Sequence, residues 1–161
     1  MAEPAKKTYA GSCHCGHIKY TVALALSDPP TAGRCNCTIC LKTGFTSVRV
    51  ATPSDFQLLS PSSATLDSND EVGDYQFRSQ DVHKYFCKKC GVQVFSKGKY
   101  VFEGTEVNFF TVNILTLDQP QPVGSEGEGL DLSMFKIKYA DGRNDNWQGG
   151  TKDVPWPGGC V

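Results

Sequence analysis

Ile18, Tyr20, Val22 and Leu24 alternate with other residues, the two-residue period of a strand with one buried face. Short runs of the same character recur at 45–51, 75–77, 82–86, 92–95, 100–102, 107–115 and 134–139. Most are rich in Val, Ile, Phe, Tyr and Thr, the residues that suit a pleated, half-buried surface. Turn-forming residues separate them at 27–30, 52–55, 60–63, Lys97-Gly98 and Asp141-Gly142. No window of a dozen residues carries a 3.6-residue apolar repeat. The pattern predicts an all-β chain with at most one short helical turn. Residues 60–73 and 118–129 read as loose, and the latter, with Pro120, Pro122 and three glycines, reads as a long surface loop. The tail 144–161 is poor in β-formers and is expected to wrap on the surface or fray.

Composition narrows the class. The 161 residues contain 39% apolar side chains plus 16 Gly, enough for a buried core, and predict one domain spanning 1–161 with its core at about 9–141. A net charge of −1 removes the electrostatic drive of a nucleic-acid binder. No run approaches the roughly 18 apolar residues of a membrane span. Residues 1–10 carry charges with no apolar segment behind them, so the expected location is cytoplasmic. Against that background, eight cysteines read first as metal ligands or redox thiols rather than disulfides.

Seven of the eight fall into three clusters: Cys13 and Cys15; Cys35, Cys37 and Cys40; Cys87 and Cys90. On a strand, Cys-x-Cys directs both sulfurs to one side. Cys-x-x-Cys does the same across a tight turn, and Gly91 suits such a turn. A closed zinc site takes four protein ligands and a catalytic one three. Clusters of two, three and two therefore divide into a four-thiolate site of Cys13, Cys15, Cys87 and Cys90 and a three-thiolate site of Cys35, Cys37 and Cys40. The expected cofactor is two Zn²⁺ per chain, one structural and one catalytic. Ferredoxin spacings are absent. Cys160 either completes the second site and makes it structural, or stays out of it; its Pro-Gly-Gly approach favours the latter. Three thiolates leave zinc a poor activator of water but a good partner for a further thiol, which it would hold as thiolate.

The segments 11–16, 35–44 and 86–91 resemble, in order, spacing and flanking glycines, the glutathione-dependent formaldehyde-activating enzyme family, whose relatives include centromere protein V. The resemblance spans roughly residues 9–141 and implies a zinc-stapled β-tent of small antiparallel sheets. It implies a carbon–sulfur lyase that joins glutathione and formaldehyde, as in S-(hydroxymethyl)glutathione synthase. It also implies the same division of metal ligands, with Cys35, Cys37 and Cys40 catalytic. Relatives acting on other thiol adducts, and a non-catalytic interaction module with two structural zincs, are the alternative readings.

Other residues carry less. His14 would point away from its flanking cysteines, and His17 and His83 have no assigned role. Arg34, Lys42 and Arg49 lie near the three-cysteine cluster and are candidates for the carboxylates of glutathione. Lys88 and Lys89 would offset thiolate charge. Trp147 and Trp156 would cover a pocket or dock the tail.

Overall fold

The computed structural model describes residues 4–61 and 71–160. Most of the loose stretch expected at 60–73 lies outside the described residues. The strands are β1 (Lys7–Ser12), β2 (Lys19–Leu24), β3 (Thr31–Cys35), β4 (Thr46–Arg49), β5 (Phe56–Ser60), β6 (Val72–Gln76), β7 (Val82–Cys87), β8 (Gln93–Phe102), β9 (Thr105–Asn113), β10 (Lys136–Ala140) and β11 (Thr151–Lys152). One six-residue helix, α1 (Thr38–Thr43), interrupts them. No described helix is long and apolar enough to cross a membrane.

The strands form two sheets. One has the order β1-β2-β5, and the other has the order β11-β10-β3-β4-β9-β8-β7-β6. Every pairing is antiparallel except β3 with β10, which run parallel. The alternation read at 18–24, which covers β2 and the residue before it, has the expected consequence, for Ile18, Tyr20, Val22 and Leu24 are all at most 2% exposed. Phe56 of β5 joins the two sheets. Its ring lies 5.1 Å from Tyr20 and 4.9 Å from both Phe95 and Phe110. Such aromatic contacts add to what burial of the same area contributes.

Two expectations need correction. Lys97-Gly98 is not a turn, since β8 runs unbroken through it and pairs with β7 and β9. The glycine is there because the chain entering β7 passes against it, and a Cβ at Gly98 would meet the Asp81 carbonyl. Cys13 and Cys15 lie not on a strand but in the turn between β1 and β2.

The loop at 118–129 does more than connect. β1 is the edge of its sheet, and an open edge invites foreign pairing. The loop covers it. The Gln121 side chain accepts from the Ala10 N–H and donates to the Ala10 carbonyl, both at 2.8 Å, as a paired strand would. Ser12 donates to Asp118 at 2.6 Å, and Glu126 accepts from the Thr8 N–H at 2.7 Å. The tail is held too, by β11 and by the Trp156 indole N–H donating to the Tyr139 carbonyl at 3.1 Å.

Candidate metal centres

Two turns of similar construction bring the first set of thiols together. In the β1–β2 turn, the Cys13 N–H donates to the Ile18 carbonyl at 3.0 Å and the Gly16 N–H to the Cys13 carbonyl at 2.9 Å. In the β7–β8 turn, the Cys87 N–H donates to the Val92 carbonyl at 3.0 Å and the Gly91 N–H to the Cys87 carbonyl at 2.8 Å. Gly16 and Gly91 take φ values of +72° and +74°, which side-chain-bearing residues rarely adopt. The sulfurs of Cys13, Cys15, Cys87 and Cys90 all lie within 4.8 Å of one another. Cys13 and Cys15 are 3.6 Å apart, and Cys15 and Cys87 are 3.7 Å apart. Zinc–sulfur bonds of about 2.3 Å place tetrahedral sulfurs about 3.8 Å from each other, so the spacing fits.

Their electrostatics fit a cation as well. Burial pushes the Cys87 thiol up to about 12 and raises that of Cys13. Burial acts on Cys90 in the same direction, but hydrogen bonds from the Cys15 and Val92 N–H groups outweigh it and hold that thiol at about 6. Thiols split in this way compete for protons, and a bound divalent cation replaces those protons with one charge that suits all four.

The second set is built at a different place. Cys35 ends β3, Cys37 is the N-cap of α1, and Cys40 lies within the helix. Gly44, at φ +62°, stops the helix there, and the Phe45 N–H donates to the Cys40 carbonyl at 3.1 Å. The three sulfurs lie within 4.8 Å of one another. Hydrogen bonds from Cys35 and Cys40 hold the Cys37 thiol down at about 2, while the same contacts push Cys40 far above the ordinary thiol range. Three thiolates held this close together need a cation.

Parallel pairing of β3 with β10 explains the surroundings. It sets Ala140 beside Cys35, with the Asn36 N–H donating to the Ala140 carbonyl at 3.2 Å. Asp141 follows, and the buried Asn36 side chain donates to it at 2.7 Å. Asn36 also accepts from the Arg143 N–H at 2.9 Å and donates to the Pro157 carbonyl at 3.3 Å, so the cysteine loop, the turn after β10 and the tail share one polar network. Gly142 lies so close to Cys35 that a Cβ there would meet its sulfur.

A cavity of about 30 Å³ adjoins Cys35 and Cys40, walled in part by Arg34, Phe45, Trp156 and Cys160. Of the three cations considered from sequence, Arg34 alone reaches it, and its Nε donates to Thr46 at 3.0 Å. Lys42 is exposed on α1, and Arg49 donates to the Asn108 carbonyl beside a different groove. Cys160 lines the cavity without joining the close group of sulfurs. His14 is exposed and joins neither set. Lys89 contacts His17 at 3.1 Å. Trp156 docks the tail, whereas Trp147 is half exposed. Sequence reasoning missed Asn36, Asp141, Gly142 and the buried Lys84, whose Nζ lies 4.0 Å from the Cys40 sulfur. Lys84 carries a visible signal, a charge inside an apolar run. The others become significant only once β10 is laid beside β3.

A family model described as glutathione-dependent formaldehyde-activating enzyme matches residues 8–128. The chain belongs to that family. The match includes all seven clustered cysteines and ends before β10 and Cys160. Membership suggests glutathione-related formaldehyde activation, and the two groups of cysteines could hold metal ions, consistent with zinc. No functionally curated protein matches the sequence. A solved Rhodobacter sphaeroides protein, a structural-genomics target, is similar with a TM-score of 0.52 and 23% identity. The alignment covers 77% of this chain and 92% of that one, a likeness of fold.

Proposed function

We propose that the chain is a two-zinc enzyme that makes or breaks the carbon–sulfur bond between glutathione and formaldehyde, as S-(hydroxymethyl)glutathione synthase does. In this reading Cys13, Cys15, Cys87 and Cys90 hold a structural ion, and Cys35, Cys37 and Cys40 hold the catalytic one. The observation that carries it is the separate three-thiol set beside a small cavity, since three protein ligands leave one tetrahedral position for a substrate. When bound there, zinc supplies a soft centre that keeps an incoming thiol deprotonated.

The chain's own groups account for the rest. A cavity of about 30 Å³ has room for about one water-sized group. It suits a sulfhydryl or a one-carbon carbonyl and leaves the tripeptide body of glutathione outside, with Arg34 as the cation in the cavity wall for a carboxylate. The thiolate sulfur adds to the carbonyl carbon of formaldehyde, the carbonyl electron pair moves to oxygen, and that oxygen takes a proton from water. Cleavage of the adduct is the same sequence reversed. Phe45 and Trp156 form an apolar part of the cavity wall.

Exchange spectroscopy with ¹³C-formaldehyde and glutathione tests the proposal. The wild-type chain should accelerate formation and breakdown of the adduct, and Cys37→Ser should lose that acceleration while keeping its fold. A wild-type rate equal to the uncatalysed one would overturn the assignment.

A further inference from the structure

β7 places Lys84 and Tyr85 on opposite faces, and both are buried. Tyr85 enters the aromatic core, its ring stacked on Phe95 at 4.7 Å. Lys84 is 8% exposed, and its ammonium meets two groups, the Cys40 sulfur at 4.0 Å and the face of Phe45 at 4.8 Å. Among the described residues no carboxylate pairs with it. An isolated ammonium is costly to bury, so such a cation is retained where an anion faces it. The aromatic face supplies a minor share of that compensation. The anion has to come from the cysteine cluster.

The charge count agrees. Three thiolates and one Zn²⁺ carry −1, and a fourth thiolate brings the centre to −2. A neighbouring lysine reduces these to 0 and −1. Among the described residues the four-cysteine set has no equivalent, because Lys88 and Lys89 in its turn are exposed and Lys89 is engaged with His17. A buried lysine therefore accompanies the set whose charge would change on ligand exchange.

We infer that Lys84 is the built-in counter-charge of the three-cysteine centre, a positioning residue that lets it hold a metal and accept one more anionic sulfur. The second half rests on the thiol-binding reading of that centre; the first requires only that the cluster binds a metal. Lys84 acts through Cys40 and the metal, without touching substrate.

Zinc transfer to a competing chelator tests the counter-charge, with Cys37→Ser identifying which step belongs to the three-cysteine centre. Lys84→Met keeps the aliphatic stem and removes the charge, and Lys84→Arg keeps the charge. Lys84→Met should weaken zinc at that centre by about 10- to 100-fold, the usual cost of losing a supporting group around a metal. It should leave the four-cysteine centre unchanged, and Lys84→Arg should stay within about threefold of wild type. Calorimetry on the zinc-loaded chains should show glutathione binding weakened in Lys84→Met and restored in Lys84→Arg. Unchanged zinc affinity in Lys84→Met, or an equal loss in Lys84→Arg, would overturn the inference in favour of packing. If Lys84→Met does not fold, Lys84→Gln makes the same comparison, and failure of both also assigns Lys84 to packing. If the wild type binds no glutathione while the zinc difference persists, the thiol-binding reading fails and the counter-charge stands.

Discussion

At the scale of single residues, the three-cysteine centre depends on contacts that its own spacing does not reveal. Gly142 is the sharpest case, because a methyl group there would run into the Cys35 sulfur and the Trp147 ring. Gly142→Ala should lose one of two bound metals and leave the four-cysteine centre loaded; metal analysis with circular dichroism checks this. Asp141 is the second case. It accepts from the side chains of Asn36 and Asn144, at 2.7 Å and 3.0 Å. Asp141→Ala leaves the buried Asn36 amide without that acceptor and should cost about 1–3 kcal/mol in denaturant unfolding. The Asn144 and Asn36 side chains hold the Asp141 carboxyl below the usual carboxylate range. Its contribution is therefore complete above the unfolded value, declines as pH falls from there toward the lower folded one, and is lost below it. The cysteines were legible because each cluster announces itself over three to six consecutive positions. Asn36 and Asp141 were not, since their meaning lies in a contact across 105 residues.

At the scale of elements, the proposed structural ion joins the β1–β2 turn to the β7–β8 turn, and thus the smaller sheet to the larger. Cys15 and Cys87 are 72 residues apart in sequence, and a tie between them constrains the unfolded chain strongly. Structural zinc contributes about 10–16 kcal/mol in small peptides, comparable to the roughly 5–15 kcal/mol of a whole domain. A strong chelator should therefore abolish cooperative thermal unfolding, and Cys15→Ser should do nearly the same without chelator; calorimetry distinguishes this from local loosening. β2, with its clear alternation, and β7, with its run of β-forming residues, could be read directly. β3, Thr31-Ala-Gly-Arg-Cys35, could not, because its short polar sequence is stabilised by pairing with β4 and β10 rather than by its own side chains. Lys97-Gly98 misled for the opposite reason, a glycine chosen for close approach and not for reversal.

For the molecule as a whole, the all-β class and the division of seven cysteines into four and three followed from periodicity and ligand number. The eight-stranded sheet did not, since the parallel joining of β3 to β10 depends on which strands meet and leaves no local pattern. That joining sets the turn after β10 beside Cys35, while the tail supplies Trp156 and Cys160 to the cavity wall. Cys160 stays outside the close group of sulfurs, so Cys160→Ser should retain two metals per chain by elemental analysis. The central claim is that one centre is closed and the other has an exchangeable position. Cobalt(II) substitution followed by titration with glutathione tests it most directly. The account predicts that the visible spectrum changes in wild type and in Cys160→Ser, with no change in Cys37→Ser, whose remaining cobalt sits in the four-cysteine centre. A wild-type spectrum indifferent to glutathione, or a change that persists in Cys37→Ser, would contradict it.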